Sequence, residues 1–464
     1  MKTECKVTSL LFFCLALCSS LMWACQDESV KLAPQSNVLL IVIDTLRFDR
    51  IGCYGAARDT SPAVDKLAAN AVRFERAYAT APWTIPSVGS ILTGLYPSRH
   101  TATSFDRQLP DEVETLAEIL KQEGYATAGV VSHWAIGAKH NFHQGYDVYL
   151  QSEARGHNYV STDGVTRQAI EQLEQMAAGP RPFFLFVHYF DPHYNYIRHS
   201  EYGFTPPSAG RLSGNEPMGE LRAMTEDLSR EEVRFLRDLY DEEIRFTDAG
   251  IGRLLDKLDE LGRRDETLII LTADHGEEFL DHGQLGHTKT LYEELVRVPL
   301  IVRDPSEPRR GVTVQGPVSL VCLTPTILDL LGVDTSAFSF QGTTLRPLLS
   351  GSESAAPSPV FFEVDFVPVR KSEARSDVHK KGIISERYKL IRDDTTRQVE
   401  LYDLGTDPME NSDLRTQRPD LATKLLKGLD RTIGLATIGA LDARQRTLND
   451  EEINKLKALG YVGD

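Results

Sequence analysis

Cysteine is scarce in this chain, and its placement excludes more than its number does. Of six cysteines in 464 residues, Cys5, Cys14, Cys18 and Cys25 fall at the extreme N-terminus, which leaves Cys53 and Cys322 for the body. A disulfide framework and a cysteine-built metal site are both excluded, and a chain of this length buries enough apolar surface to need neither. Positive charge is also short. Lys and Arg total 51 against 67 Asp and Glu, a net charge of −16. Nucleic acid is excluded as a partner, because phosphate binding needs basic surface. Beyond residue 25 no apolar run approaches the roughly 20 residues needed to cross a bilayer. Internal repeats and low-complexity tracts are absent as well.

What is present begins with a leader. Lys2 and Lys6 precede the apolar stretch Leu10 to Ala24, which has signal-peptide length. It ends in Leu21-Met22-Trp23-Ala24-Cys25, a small residue followed by cysteine, resembling a bacterial lipoprotein cleavage box. The expectation is a lipoprotein-type signal peptide over residues 1–25, Cys25 as a candidate lipid anchor, and export to the periplasm or outer envelope.

In the body, the continuous apolar run Asn37 to Ile43 reads as a strand buried on both faces, and it delivers Asp44 at its end. A helix follows from Ser61 to Ala71, and another from Leu116 to Glu123 closed by Gly124. The short strand Ala126–Val131 leaves His133 just past its end. Helix 163–177 leads to the apolar strand Pro182–Val187, followed by His188, Asp191 and His193. Residues 195–228 are polar and rich in Pro and Gly, and read as a long loop or insertion. Ser229 opens a helix to about Leu261. Thr267–Thr272 is the next buried strand, ending at Ala273-Asp274-His275-Gly276-Glu277, with His282, His287 and Lys289 in the loop beyond. Strand Val298–Val302 and helix Leu323–Leu331 complete an alternation that predicts an α/β fold, a largely parallel central sheet flanked by helices, over residues 36–335. Short β-like pieces at Val360–Val364, Lys381–Ile391 and Glu400–Leu404, a basic loop with Arg370, Lys371, Arg375, Lys380 and Lys381, and a final helix predict a smaller C-terminal α+β subdomain over 336–438. Residues 439–464 read as a charged tail that docks back on the body.

In open α/β sheets, ligands bind beyond the carboxyl ends of the strands. Asp44, the Asp274-His275 pair and the His188/Asp191/His193 group all lie there. The stretch Ala81 to Gly94 reads as a loop running into a helix, with Thr84 at the N-cap position and Pro86 in the first turn. Thr84 thereby stands at the positive end of a helix, where an anionic group is held well. Two carboxylates, an imidazole and a hydroxyl suit one divalent metal ion (Ca, Mg, Mn or Zn) held by Asp44, Thr84, Asp274 and His275. His188, Asp191 and His193 are the candidates for a second ion, with a single ion the preferred reading. An alcohol is a weak nucleophile at its own pKa, and coordination favours its alkoxide. His193, His287 and Lys289 are candidates for holding the remaining ester oxygens or protonating the leaving group.

These residues also carry a resemblance. Asp44 after its strand, the Thr84-x-Pro86-Ser87…Leu92-Thr93-Gly94 segment with Tyr96-Pro97-Ser98-Arg99-His100 behind it, and Asp274-His275-Gly276 resemble the sulfatases of the alkaline-phosphatase superfamily. So do Gly286-His287, the Pro325-Thr326-Ile327-Leu328-Asp329 helix and the late Leu401-Tyr402-Asp403-Leu404…Asp407-Pro408 segment. The resemblance implies a sulfatase-like, metal-dependent hydrolase of sulfuric or phosphoric esters, acting on a sulfated or phosphorylated glycan, lipid or small molecule. Two departures stand out. Sulfatases carry Cys or Ser where Thr84 stands, matured to formylglycine, and Arg where Val88 stands, so formylglycine is not expected here and Thr84 itself is the expected nucleophile. A threonine nucleophile also resembles the phosphoethanolamine and phosphoglycerol transferases of the superfamily, which gives one alternative. The other is a sulfatase-fold binding protein without catalysis.

Overall fold

Seven consecutive buried residues, Asn37–Ile43, form β1 in the middle of an eight-stranded sheet. The computed structural model describes residues 36–458 apart from 155–158, 194–195, 215, 308, 353–358 and 368–376. The leader with Cys25, the basic residues Arg370, Lys371 and Arg375, and the end of the tail lie outside the described residues.

The remaining strands of the sheet are β2 (Val72–Tyr78), β3 (Ala126–Val131), β4 (Val148–Leu150), β5 (Phe183–Tyr189) and β6 (Thr267–Ala273). A two-stranded ribbon of β7 (Glu278–Phe279) and β8 (Leu285–Gly286) follows, then β9 (Arg297–Arg303) and β10 (Val312–Ser319) return to the sheet. The order is β10-β2-β9-β6-β1-β5-β3-β4. β9 runs antiparallel to β6 and β2, and the other pairings are parallel. Helices Thr162–Ala177 and Arg230–Glu260 pack together, as do Thr84–Thr93 and Leu323–Leu330. A parallel sheet needs both faces covered, which is why β1, β5 and β6 are apolar runs rather than alternating ones.

Register sets the site. Ile43 pairs with Tyr189 on one side and Ala273 on the other, so Asp44 and Asp274 leave the sheet at the same level. His188 stands beside Val42, one step lower.

The expected fold class holds, with differences in detail. β2, β4 and β10 lie outside the long apolar runs. β2 alternates its buried positions at Val72 and Phe74, and β10 is half-buried over its first residues, so neither shows the continuous pattern of a central strand. The single piece read at Lys381–Ile391 is two strands, β12 (Val378–Ser385) and β13 (Tyr388–Asp393), turned at Glu386 with φ 58°. With β11 (Val360–Phe366) and β14 (Val399–Asp403) they make an antiparallel sheet of order β11-β12-β13-β14. The stretch read as a loop over 195–228 contains a short helix, Met218–Ala223. The tail docks through its described part: Leu441 N–H donates to the Arg99 carbonyl, Arg446 N–H to the Asp106 carbonyl, and Leu456 is fully buried. Of the basic loop, Lys381 is spent on ion pairs with Glu363 at 2.5 Å and with Asp365. Cys53 and Cys322 are both free thiols.

Candidate active site

Strand β1 ends in an abrupt turn. Thr45 adopts a left-handed backbone, φ 54°, which costs a β-branched residue about 1–2 kcal/mol. Three bonds hold it there. Thr45 N–H donates to Asp274 Oδ1 at 3.2 Å, and the Tyr240 hydroxyl donates to the Thr45 carbonyl at 2.6 Å while accepting from Arg47 N–H at 2.9 Å. The turn keeps the Asp44 side chain at the sheet edge, completely buried.

At the end of β6, Asp274 Oδ1 also accepts the His275 N–H at 2.8 Å, leaving Oδ2 pointing elsewhere. His275 Nδ1 lies 2.8 Å from the Gly276 carbonyl, which can only accept, so the proton sits on Nδ1 and the lone pair on Nε2. Gly276 is required here, since a Cβ would lie 2.0 Å from the Glu294 carbonyl oxygen.

Thr84 is not the N-cap. Trp83, in extended conformation, holds that position, and Thr84 is the first residue of the buried helix Thr84–Thr93. Its hydroxyl is therefore turned toward the strand ends, 3.5 Å from His275 Nε2. Ser87, one turn in, fastens the helix to β6 by donating to the Asp274 carbonyl at 2.6 Å.

The His275 lone pair thus faces Thr84 Oγ1 at 3.5 Å, Asp44 Oδ1 at 3.6 Å and Asp274 Oδ2 at 3.6 Å. Ligands about 2.0–2.2 Å from one ion stand roughly 3.3–3.6 Å from each other in a tetrahedral shell. Both oxygens of Asp44 and Oδ2 of Asp274 are buried without a hydrogen-bond partner among the described residues. Buried carboxylate oxygens in that state need a cation or a proton. The donor set and the orphaned oxygens fit a divalent metal ion, and the two carboxylates and the His275 imidazole come together as a metal-type cluster.

The electrostatics agree. Burial drives the Asp44 carboxyl well above its ordinary range, and the neighbouring Asp274 and Glu277 push it further. Burial works on Asp274 too, but His275 and His188 outweigh it and hold Asp274 low. Two carboxylates this close accommodate one negative charge between them unless a cation balances the second. Burial pushes His275 down to about 4, so its imidazole is neutral and suited to coordination.

Around this cluster lies a chain of imidazoles. The His287 ring stands 4.6 Å from that of His275, and His193 4.9 Å from His287, with His193 stacked on Phe190. His287 Nδ1 meets Glu277 Oε1 at 3.0 Å. Burial raises Glu277 to about 8, while burial and then the Arg222 charge lower His287 to about 3. The contact fixes the His287 ring against Glu277 and beside the His275 ring.

The structure therefore brings Asp44, Thr84, Asp274 and His275 together, with His287 and His193 behind them. Lys289 is half-buried and donates to Gln284 at 3.0 Å. The alternative second site does not assemble. Both Asp191 oxygens accept from Ser161 and Thr162, at 2.7 to 3.3 Å, and so cap the helix that begins there. His188 instead joins the first cluster, its Nε2 3.8 Å from Asp44 Oδ2 and 4.0 Å from Asp274 Oδ2. Two residues that the sequence pattern does not single out also act here. Glu277 orients His287. Arg47, almost fully buried, ties the loop together through Asp49 and Asp281, both at 2.9 Å, and the Glu277 carbonyl at 3.1 Å. The one available signal is position: both lie within three residues of a strand-end ligand.

Comparison with known proteins places this geometry. The Sulfatase family model matches residues 36–333, and the model for the C-terminal part of N-sulphoglucosamine sulphohydrolase matches 281–433. The chain is 24% identical to an N-acetylglucosamine-6-O-sulfatase of Bacteroides thetaiotaomicron, with 86% of each chain covered. It is 27% identical to human arylsulfatase A over 83% of this chain and 84% of that one. Among solved structures, the phosphonate monoester hydrolase of Agrobacterium radiobacter superposes with a TM-score of 0.71 at 23% identity, covering 89% of this chain and 100% of that one. The chain belongs to the sulfatase family, and with it to the ester hydrolases built on the alkaline-phosphatase fold.

Proposed function

We propose that the chain is a metal-dependent hydrolase of sulfuric or phosphoric esters in which Thr84 is the nucleophile. One observation carries the reading: the Thr84 hydroxyl lies 3.5 Å from a metal-ready imidazole nitrogen, beside two buried carboxylates with three oxygens unpartnered among the described residues. Asp44, Thr84, Asp274 and His275 would hold the cation. Bound there, it would lower the pKa of the Thr84 hydroxyl and neutralise the oxygens of the ester.

The chain's own residues do the rest. The helix Thr84–Thr93 presents its positive end to the anionic ester. Thr84 Oγ1, its proton given up to solvent on coordination, would attack sulfur or phosphorus in line. The bond to the leaving oxygen would break with a proton supplied from His193, and water would cleave the threonyl ester to the free acid and restore Thr84. His287, oriented through Nδ1 by Glu277, turns its Nε2 to an ester oxygen, and His193 stands beside it at the leaving-group side. Burial of the whole set excludes bulk water and strengthens each of these interactions. Lys289 is assigned to the outer part of the anion site. Export with a lipid on Cys25 belongs to the same proposal, and mass spectrometry of the mature N-terminus tests it.

The activity test is a panel of 4-nitrophenyl sulfate, phosphate and phosphonate esters with the metal-loaded protein. Thr84→Ala should lose turnover of whichever ester is accepted. Undiminished turnover in that variant would remove Thr84 from the mechanism.

A further inference from the structure

One cation near the site comes from outside the strand-end framework. Arg222 belongs to the short helix Met218–Ala223 within the 196–228 insertion. Its guanidinium lies over Gly286: a Cβ on that glycine would stand 2.7 Å from the Arg222 Nη2. Gly286, at φ 94°, immediately precedes His287, and any side chain there would displace the guanidinium.

The insertion is fastened so that this arginine stays in place. Glu242 on helix Arg230–Glu260 accepts the N–H groups of His199, Phe204 and Thr205 at 2.8 to 2.9 Å, and Glu243 accepts that of Ile197 at 2.6 Å. Glu232 pairs with Arg211 at 3.0 Å. Met218 and Leu221 are buried and anchor the short helix, which also touches the C-terminal helix Asp450–Ala458. The insertion so tied holds one half-buried guanidinium against Gly286, beside the buried His287.

We propose that Arg222 is a specificity residue that binds a second anionic group, a carboxylate or further sulfate, on the part of the substrate that leaves. The idea rests on the functional reading above. The reacting ester group is already provided for by the helix end, His193, His287 and the cation site. A guanidinium from a separate element adds a planar, forked donor suited to a carboxylate or sulfate next to it.

The test compares two aryl esters of the acid group that the protein accepts: the 4-nitrophenyl ester and its 3-carboxy analogue. Arg222→Gln should raise KM for the carboxylated ester about tenfold, the worth of one charge-assisted contact, and change the uncharged ester less than about twofold. Arg222→Lys should recover part of the loss. Unchanged thermal stability of both variants separates binding from folding. Calorimetric titration of the carboxylated ester into metal-loaded Thr84→Ala protein, with and without Arg222→Gln, reads the same contact without turnover. Equal losses on both esters, or none on either together with equal affinities, would overturn the assignment. Absence of turnover of every ester by the parent protein would instead count against the functional reading, and the calorimetric comparison would still decide the role of Arg222.

Discussion

Two groups of buried acids in this protein look alike in composition and behave oppositely. At the strand ends, Asp44 and Asp274 are fully buried with three oxygens unpartnered among the described residues. Where the antiparallel sheet meets the main body, Glu293 and Glu410 are nearly as buried, but Lys389 Nζ sits between them at 3.1 and 2.9 Å. Glu293 also accepts from the Tyr78 hydroxyl at 3.2 Å, and its own N–H donates to Glu410 at 2.6 Å. Lys389 lies over the Phe362 ring as well, 5.4 Å from its centroid. The second group is closed: the fold supplies its cation. The first has no such cation among the described residues, and on the proposed function a divalent ion would make up that deficit.

The contrast gives its largest effect at Asp274. Asp274→Asn keeps the carbonyl oxygen that accepts from Thr45 and His275, and removes one charge. Bound metal should be lost, and kcat/KM should fall by more than the roughly 100-fold carried by groups that merely support a ligand. In chelator the same variant should melt higher than the parent, because Asp44 is relieved of the neighbouring carboxylate that, after burial, drives its pKa up at a cost in stability. A lower melting temperature in chelator would mean that the cluster is already balanced from within, and the contrast with the Lys389 group would fail.

Lys389→Met tests the other side. It strands two buried carboxylates, a change that costs about 3–5 kcal/mol when one partner of a buried pair is removed. Urea denaturation should show that loss whether or not metal is present. Activity per folded molecule should stay within about twofold, since the group has no part in the chemistry. Loss of activity with unchanged stability would merge the two groups into one function.

Legibility in the sequence divides along the same line. β1, β5 and β6 announce themselves as unbroken apolar runs, and a ligand site is built from the residues just past a buried parallel strand, so Asp44, Asp274 and His275 stand out. The sequence pattern puts Thr84 at the right end of its helix and one residue off, because Trp83 adopts the extended conformation that a threonine cap would have had. Asp191 is indistinguishable from a ligand in sequence: only the packing of β5 against the start of helix Thr162–Ala177 turns its carboxylate into a cap. Lys389 and Arg222 carry no local signal. The partners of Lys389 are contributed by segments far apart in sequence, and Arg222 meets Gly286 only once the insertion folds over the sheet edge.

The smallest effect lies between the two groups, at His282, and it is one of pH. His282 Nδ1 stands 2.7 Å from Glu294 Oε1, and its ring stacks on Tyr292 with centroids 3.7 Å apart. Burial works against its protonation, but Glu294, then Glu410 and Glu278, raise it to about 9 from an ordinary 6.5. A histidine raised on folding contributes stability that is fully present below 6.5 and is lost as pH climbs through about 9. Glu278 and Glu410 are themselves raised to about 7, so their loss of stability on deprotonation is largely complete before that window opens. Glu277, raised to about 8, contributes to the early part of the decline in melting temperature. The part between about pH 8.5 and 9.5 should therefore belong mainly to His282, and His282→Gln should flatten it by a few degrees while lowering stability at about pH 6. An equally steep decline in the variant would assign it to another group and show that this corner of the molecule, like the Lys389 group, is balanced without the imidazole.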